Sequence, residues 1–160
     1  MSEPSSWRRI VASALEWEQA HVSLDRAVEG LPADLRGRRA AGVPYSVWEL
    51  LEHIRRAQVD LLMFCRDSDY EHTLAWPADY WPESPEPASD EAWEECLAAI
   101  RRDREELRRW TVEAEVDLTK EIPGGTGQTF LRTVLVAVDH TAYHVGQIVL
   151  VRRLLDAWGP

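Results

Sequence analysis

With 160 residues, 45% of them hydrophobic, the chain is long enough for one domain, residues 1–160, and its composition is neither that of a disordered protein nor that of a membrane protein. Its formal net charge of −10 argues against binding to nucleic acid or to an anionic lipid surface. The N-terminus lacks the apolar run of a signal peptide, and no stretch approaches about 18 consecutive apolar residues. We therefore expect a cytoplasmic protein without a membrane partner.

Four helical segments follow one another along the chain, and no alternating strand pattern competes with them. The first covers residues 5–29, where apolar residues recur at three- and four-residue spacing and His21 falls within their stripe. Gly30 is its predicted end. After a connection rich in Gly and Pro, the second helix starts at the N-cap Ser46 and runs to about residue 67.

A long irregular loop, residues 68–88, separates the second and third predicted helices. Loops of this length in compact domains are often functional. Its aromatic residues Trp76, Tyr80 and Trp81 are interpreted either as a lid over a pocket or as anchors that hold the loop to the helices.

The third predicted helix starts after Ser89 and ends near Ala114, and residues 116–129 form a turn region that a short hairpin would explain. The fourth covers residues 130–157 and is apolar nearly all round, as expected of a buried helix with one face towards the core and another towards a neighbouring helix or a second subunit. Four helices of this length predict an all-α fold, a four-helix bundle.

His140 and His144 are four residues apart on the last predicted helix, so their imidazoles share one face and can bind one transition-metal ion. His53, on the second predicted helix, is the third candidate ligand. Three histidines without a fourth ligand leave a coordination position open, which is typical of catalytic metal sites. The alternative is that all three are core histidines, and residue chemistry alone leaves both interpretations open.

Four further residues are candidates for the surroundings of such a site. Glu49 lies one turn before His53 and is either an acceptor of a hydrogen bond from a metal ligand, a carboxylate ligand itself or a surface acid near a helix N-terminus. His21 is interpreted as a core or pocket-wall residue. Tyr143 and Gln147 flank or share the histidine face, and Gln147 alternatively bonds to a neighbouring helix.

The motifs WELLEHI and DHTAYHVGQIVLVRRLL resemble the DinB/YfiT-like superfamily of metalloenzymes, which is unrelated to the polymerase that shares the name. The resemblance implies an up-down-down-up four-helix bundle that is often a homodimer. It also implies a divalent metal held by three histidines, here His53, His140 and His144. Some relatives use a low-molecular-weight thiol, such as mycothiol or bacillithiol, as cosubstrate.

These observations favour a metal-dependent enzyme that acts on a small molecule. Imidazole ligands suit Zn, Ni and Fe alike, so the identity of the metal stays open. A thiol at the open position would be held as its nucleophilic thiolate, which predicts a thiol-dependent transferase or isomerase. A metal-dependent hydrolase of a small substrate and a non-catalytic ligand-binding or interaction bundle are the alternatives. The sequence contains no G-x-S-x-G motif, P-loop or dinucleotide fingerprint.

Overall fold

The computed structural model describes residues 5–113 and 115–159, and these form helices without a β-strand. The predicted all-α class is thereby confirmed. The α-helices in chain order are α1 (Ser6–Ala14), α2 (Leu24–Val28), α3 (Val47–Arg66), α4 (Asp90–Val112) and α5 (Phe130–Leu154), and two 3-10 turns cover Ala33–Leu35 and Ala78–Tyr80.

The prediction of one continuous first helix is wrong, because its residues form two short helices with an irregular segment, 15–23, between them. The Glu18 carboxylate accepts hydrogen bonds from the hydroxyl and the backbone N–H of Ser23, at 2.6 and 3.3 Å. Ser23 in turn caps α2 by accepting a hydrogen bond from the backbone N–H of Arg26. These local bonds compete with the helical ones. The predicted apolar stripe is buried only in α2, at Leu24 and Val28, whereas Trp7, Ile10 and Trp17 are exposed.

The other helix starts agree with the sequence. Ser46 and Glu49 form a capping box at the start of α3, and the Ser89 side chain accepts a hydrogen bond from the backbone N–H of Ala92 at the start of α4. The predicted end of the third helix, Ala114, lies outside the described residues, and α5 ends at Leu154, before the predicted residue 157. In the described part of the turn region, the hairpin reduces to one antiparallel bridge between residues 121 and 129.

Helix α3 lies at the centre and packs against both α4 and α5, while α1 contacts α4 and α2 contacts α5. Leu50, Leu51 and Ile54 of α3 are fully buried with Ile100 of α4 and Ile148 of α5. The central position of α3 puts the helix that carries His53 directly beside the helix that carries His140 and His144. The four-helix, up-down-down-up arrangement and the single domain stay predictions.

Helix α5 is not buried all round, since Leu135, Tyr143, Leu150 and Leu154 are each about half exposed or more. By length and composition alone, α5 is also apolar enough to cross a membrane, and 33% of its most apolar 18-residue stretch is buried within the protein. The core helix of a soluble protein meets the same criterion, so this is a weak indication. The exposed residues instead define an apolar face of α5 without a partner in the described chain.

Candidate metal centre

The three histidines of α3 and α5 converge on one point. The Nε2 atom of His140 lies 3.0 Å from Nε2 of His53 and 3.1 Å from Nε2 of His144. One nitrogen from each ring lies within 4.8 Å of the other two, and among the described residues no other set of His, Cys, Asp and Glu forms such a group. His53 and His144 are buried and His140 is partly buried.

Two hydrogen bonds orient these rings. Nδ1 of His53 lies 3.2 Å from the backbone carbonyl of Tyr80, and Nδ1 of His144 lies 2.6 Å from Oε1 of Gln147. Because a carbonyl oxygen only accepts, both Nδ1 atoms carry the proton and donate it. The Nε2 atoms of His53 and His144 are therefore unprotonated and turn their lone pairs towards His140.

This arrangement fits a metal better than it fits a hydrogen-bonded core. His140 Nε2 can donate one proton at most, so it cannot satisfy both facing lone pairs. A cation bound by all three nitrogens removes that conflict. Tetrahedral bonds of about 2.0–2.1 Å to a metal place two ligand nitrogens about 3.3 Å apart. The observed separations of 3.0 and 3.1 Å differ from that by only a few tenths of an ångström.

Burial keeps the imidazoles neutral, which metal binding requires. It lowers the pKa of His53 to about 4, with the neighbouring charge of His144 acting in the same direction and the Tyr80 carbonyl opposing it. Burial, followed by the charges of His144 and His53, lowers the pKa of His140 to about 3. Burial also lowers the pKa of His144, against the hydrogen bond to Gln147.

Aromatic rings from the long loop surround His53. The Trp81 ring stacks on the His53 imidazole at 4.0 Å and 1°, and its own ring is stacked with that of Tyr45 at 4.2 Å and 7°. The Trp76 ring lies 5.6 Å from His53 and 5.9 Å from His140, with 60% of the residue exposed. Trp81 therefore packs against one face of His53, a candidate metal ligand. Trp76 lies on the solvent side of the histidine cluster.

The loop that carries these rings is attached to α3 at two points. Arg56 donates hydrogen bonds to the carbonyls of Asp79 and Trp81, both at 3.1 Å. Asp60 accepts hydrogen bonds from the hydroxyl of Tyr80, at 2.7 Å, and from that of Tyr70. Tyr80 therefore orients His53 through its backbone carbonyl, and its hydroxyl is hydrogen-bonded to Asp60 on α3, the helix that also carries His53.

The four residues expected around the site are placed differently. Gln147 orients His144, and the ring of Tyr143 lies 5.0 Å from that of His144 but is 65% exposed. Glu49 lies outside the histidine cluster: its carboxylate accepts a hydrogen bond from the Ser46 backbone N–H at 2.8 Å and pairs with Arg39. His21 is exposed in the irregular segment after α1, also outside the cluster.

Sequence reasoning missed Asp60 and Tyr45. Asp60 could have been found, because it lies seven residues after His53 and so shares its helix face within an apolar stripe. Tyr45 precedes α3 in an irregular connection, and no local pattern announces its stacking on Trp81. The Tyr80 carbonyl is a backbone group, which composition cannot identify as an acceptor.

A cavity of about 280 Å³ adjoins the cluster and is lined in part by His140, Trp76 and Tyr80. A larger cavity, of about 500 Å³, lies between the segment around α2 and the α4 helix, and none of the three histidines lines it. Of these two cavities, only the smaller one is lined by a residue of the histidine cluster, His140.

A helical protein with three converging histidines is of the class expected of the DinB/YfiT-like superfamily. Comparison with protein families bears this out, since the family model described as mycothiol-S-transferase matches residues 11–157. The chain belongs to this mycothiol S-transferase family and, through it, to the DinB/YfiT-like superfamily. No curated protein matches the chain.

Proposed function

We propose that this protein is a metal-dependent mycothiol S-transferase that joins the thiol of mycothiol or a similar low-molecular-weight thiol to a small electrophile. The observation that carries the proposal is the convergence of His53, His140 and His144, with two lone pairs facing a third nitrogen, in a member of this family. A divalent metal held by these residues supplies a Lewis acid that favours the thiolate form of a thiol, the nucleophile.

Neighbouring residues of the chain hold the candidate metal ligands in a fixed orientation. Gln147 and the Tyr80 carbonyl hold the protons on the Nδ1 atoms, and Trp81 prevents rotation of the His53 ring. In the transfer, a carbon–sulfur bond forms while the bond from that carbon to its leaving group breaks. The leaving group departs with the electron pair, and the thiol proton is released to solvent. Among the described residues, the cysteines Cys65 and Cys96 are free and buried, which supports an external thiol as the nucleophile.

Burial raises the pKa of the Cys65 thiol to about 11, and burial together with the charge of Glu52 raises that of Cys96 further. Neither residue is therefore a thiolate near neutral pH. We place the protein in the cytoplasm, because a thiol cosubstrate stays reduced there.

The first test is the metal content of untagged protein, measured by elemental mass spectrometry. We expect about one transition-metal ion per chain in the wild type and loss of that ion in His53→Ala and in His140→Ala, since two imidazoles bind much more weakly than three. His21→Ala is the matched control, because His21 is exposed and lies outside the cluster. Circular dichroism checks that each variant is folded.

The second test is turnover with purified mycothiol and a general electrophile such as 1-chloro-2,4-dinitrobenzene. We expect chloride release and thiol conjugation that require the metal and disappear in His144→Ala. Metal bound at full occupancy without turnover by any low-molecular-weight thiol would contradict the transferase and favour a non-catalytic binding protein. Turnover of an ester without a thiol would favour the hydrolase.

We also propose that the protein is a homodimer formed by the apolar face of α5. Gly146 lies at the middle of that face, and a Cβ atom added there would meet nothing within 4 Å, so a second helix can approach closely. Asp139 and Arg153 each lie seven residues from Gly146, are exposed, and form no ion pair within the described residues. An antiparallel pair of α5 helices crossing at Gly146 brings Asp139 of one copy opposite Arg153 of the other.

A further inference from the structure

The cavity beside His140 has an unpaired positive charge at its edge. It holds about 280 Å³, slightly below the range of about 300–1,000 Å³ that is usual for ligand pockets, so it suits a small molecule. Leu61, Val136 and Trp76 provide apolar wall, and Arg132 lines it from the first turn of α5. Arg132 is exposed, and its guanidinium forms no ion pair or side-chain hydrogen bond within the described part of the chain.

The acidic group in the same cavity is already occupied. Asp60 accepts hydrogen bonds from the hydroxyls of Tyr70 and Tyr80, and its other neighbour is the Nδ1 atom of His72 at 3.4 Å. Its remaining capacity to attract a cation is therefore small, whereas Arg132 has all its donors available. An anionic group entering the cavity finds its partner at the Arg132 end.

We propose that this cavity binds the electrophile, and that the electrophile is a small molecule with an apolar or aromatic body and one carboxylate. The body packs between Trp76 and the aliphatic wall, next to His140, and the carboxylate pairs with Arg132. The cavity is lined by one guanidinium and also by the Asp60 carboxylate, which favours a singly charged anion over a phosphate dianion. This inference rests on the proposed transferase function for the word electrophile, but binding of the carboxylate does not depend on it.

The test compares binding of 4-nitrobenzoate with that of the uncharged 4-nitrobenzamide to the metal-loaded protein, measured by calorimetry and by quenching of tryptophan fluorescence. We expect the wild type to bind the benzoate about fivefold more tightly, as an exposed charge pair allows. Arg132→Gln should remove this preference. Arg66→Gln, which removes the same charge from an exposed side chain at the end of α3 and outside the cavity, should keep it.

Trp76→Phe identifies the cavity, because it should reduce the quenching by both compounds and leave the preference unchanged. Equal affinity for the two compounds, no binding of either, a preference that survives Arg132→Gln, or quenching unaffected by Trp76→Phe would each overturn the proposal. Thiol-dependent conversion of 4-fluoro-3-nitrobenzoate and its amide separates the two hypotheses. Carboxylate preference without thiol turnover defeats the transferase alone, and turnover without preference defeats only the present inference.

Discussion

At the scale of single residues, the hydrogen bond from His144 to Gln147 orients one ring of the candidate metal centre. Replacing Gln147 with Leu removes the acceptor for the Nδ1 proton, so the ring loses both its preferred tautomer and its orientation. We expect metal affinity to fall about 10- to 100-fold, measured by competition with a chromophoric chelator.

Gln147→Glu keeps an acceptor at this position and should retain wild-type affinity within a few-fold. Gln19→Leu, a change of the same kind at an exposed residue outside the site, serves as the control. An unchanged affinity in Gln147→Leu would show that the histidines hold the metal without this support.

Glu49 gives a second residue-scale prediction, which concerns pH. Burial raises its pKa, but hydrogen bonds from Arg39 and from the Ser46 backbone outweigh burial, and the pKa ends below its ordinary 4.5. A carboxyl group with a lowered pKa stabilises the folded state above its unfolded pKa, and this contribution is lost as the pH falls through the folded value.

We therefore expect Glu49→Gln to reduce the free energy of unfolding by about 1–3 kcal/mol at pH 7. The difference from the wild type should shrink progressively below about pH 4.5. Urea unfolding of the metal-free proteins at pH 7 and below about pH 4.5 measures this difference in the free energy of unfolding. The exposed Glu94→Gln is the control, and a difference that does not change with pH would contradict the assignment.

At the scale of elements, the long loop is held by close backbone contact as well as by side chains. A Cβ atom on Gly37 would lie 2.2 Å from Cβ and 2.8 Å from Cα of Glu86, so the connection before α3 and the loop meet there without room for a methyl group. The Ser46 hydroxyl donates a hydrogen bond to the neighbouring Pro85 carbonyl. The segment after Trp81 is thereby fixed to the start of α3.

Gly37→Ala should force this contact apart and cost about 1–3 kcal/mol of stability, as overpacking usually does. Thermal unfolding of the metal-free protein measures the loss. Gly159→Ala, where an added Cβ meets nothing within 4 Å, is the matched control. If the two variants melt at the same temperature, the loop yields freely at this contact.

The elements also show what local sequence patterns can and cannot predict. Caps at Ser46 and Ser89 and the pair His140 and His144 were predictable, because each depends on residues within one or two helical turns. The break after α1 was not, since the apolar spacing continues through residues 15–23 although Trp17 and His21 there are exposed. The hydrogen bond between His53 and the Tyr80 carbonyl could not be predicted either, because it joins a side chain to a backbone group 27 positions away.

At the scale of the whole molecule, the apolar face of α5 is exposed and has no partner within the described residues. An apolar stripe left on a monomer is an aggregation hazard, and the two unpaired charges at equal distances from Gly146 suit a twofold axis. A second copy of the chain satisfies both observations, whereas a lipid bilayer would leave Asp139 and Arg153 without counter-ions.

We therefore expect a mass of twice the 18.3 kDa chain in sedimentation equilibrium. Leu150→Glu should produce a monomer, because it places a charge in the centre of the apolar contact. Ile10→Glu, at an exposed apolar residue on α1, should leave the dimer intact.

Asp139→Arg and Arg153→Glu should each weaken association through like charges, and the double variant should restore it because the pairs form again with reversed sign. A double variant no tighter than the single ones would place the twofold axis elsewhere, and a wild-type monomer would contradict the dimer itself.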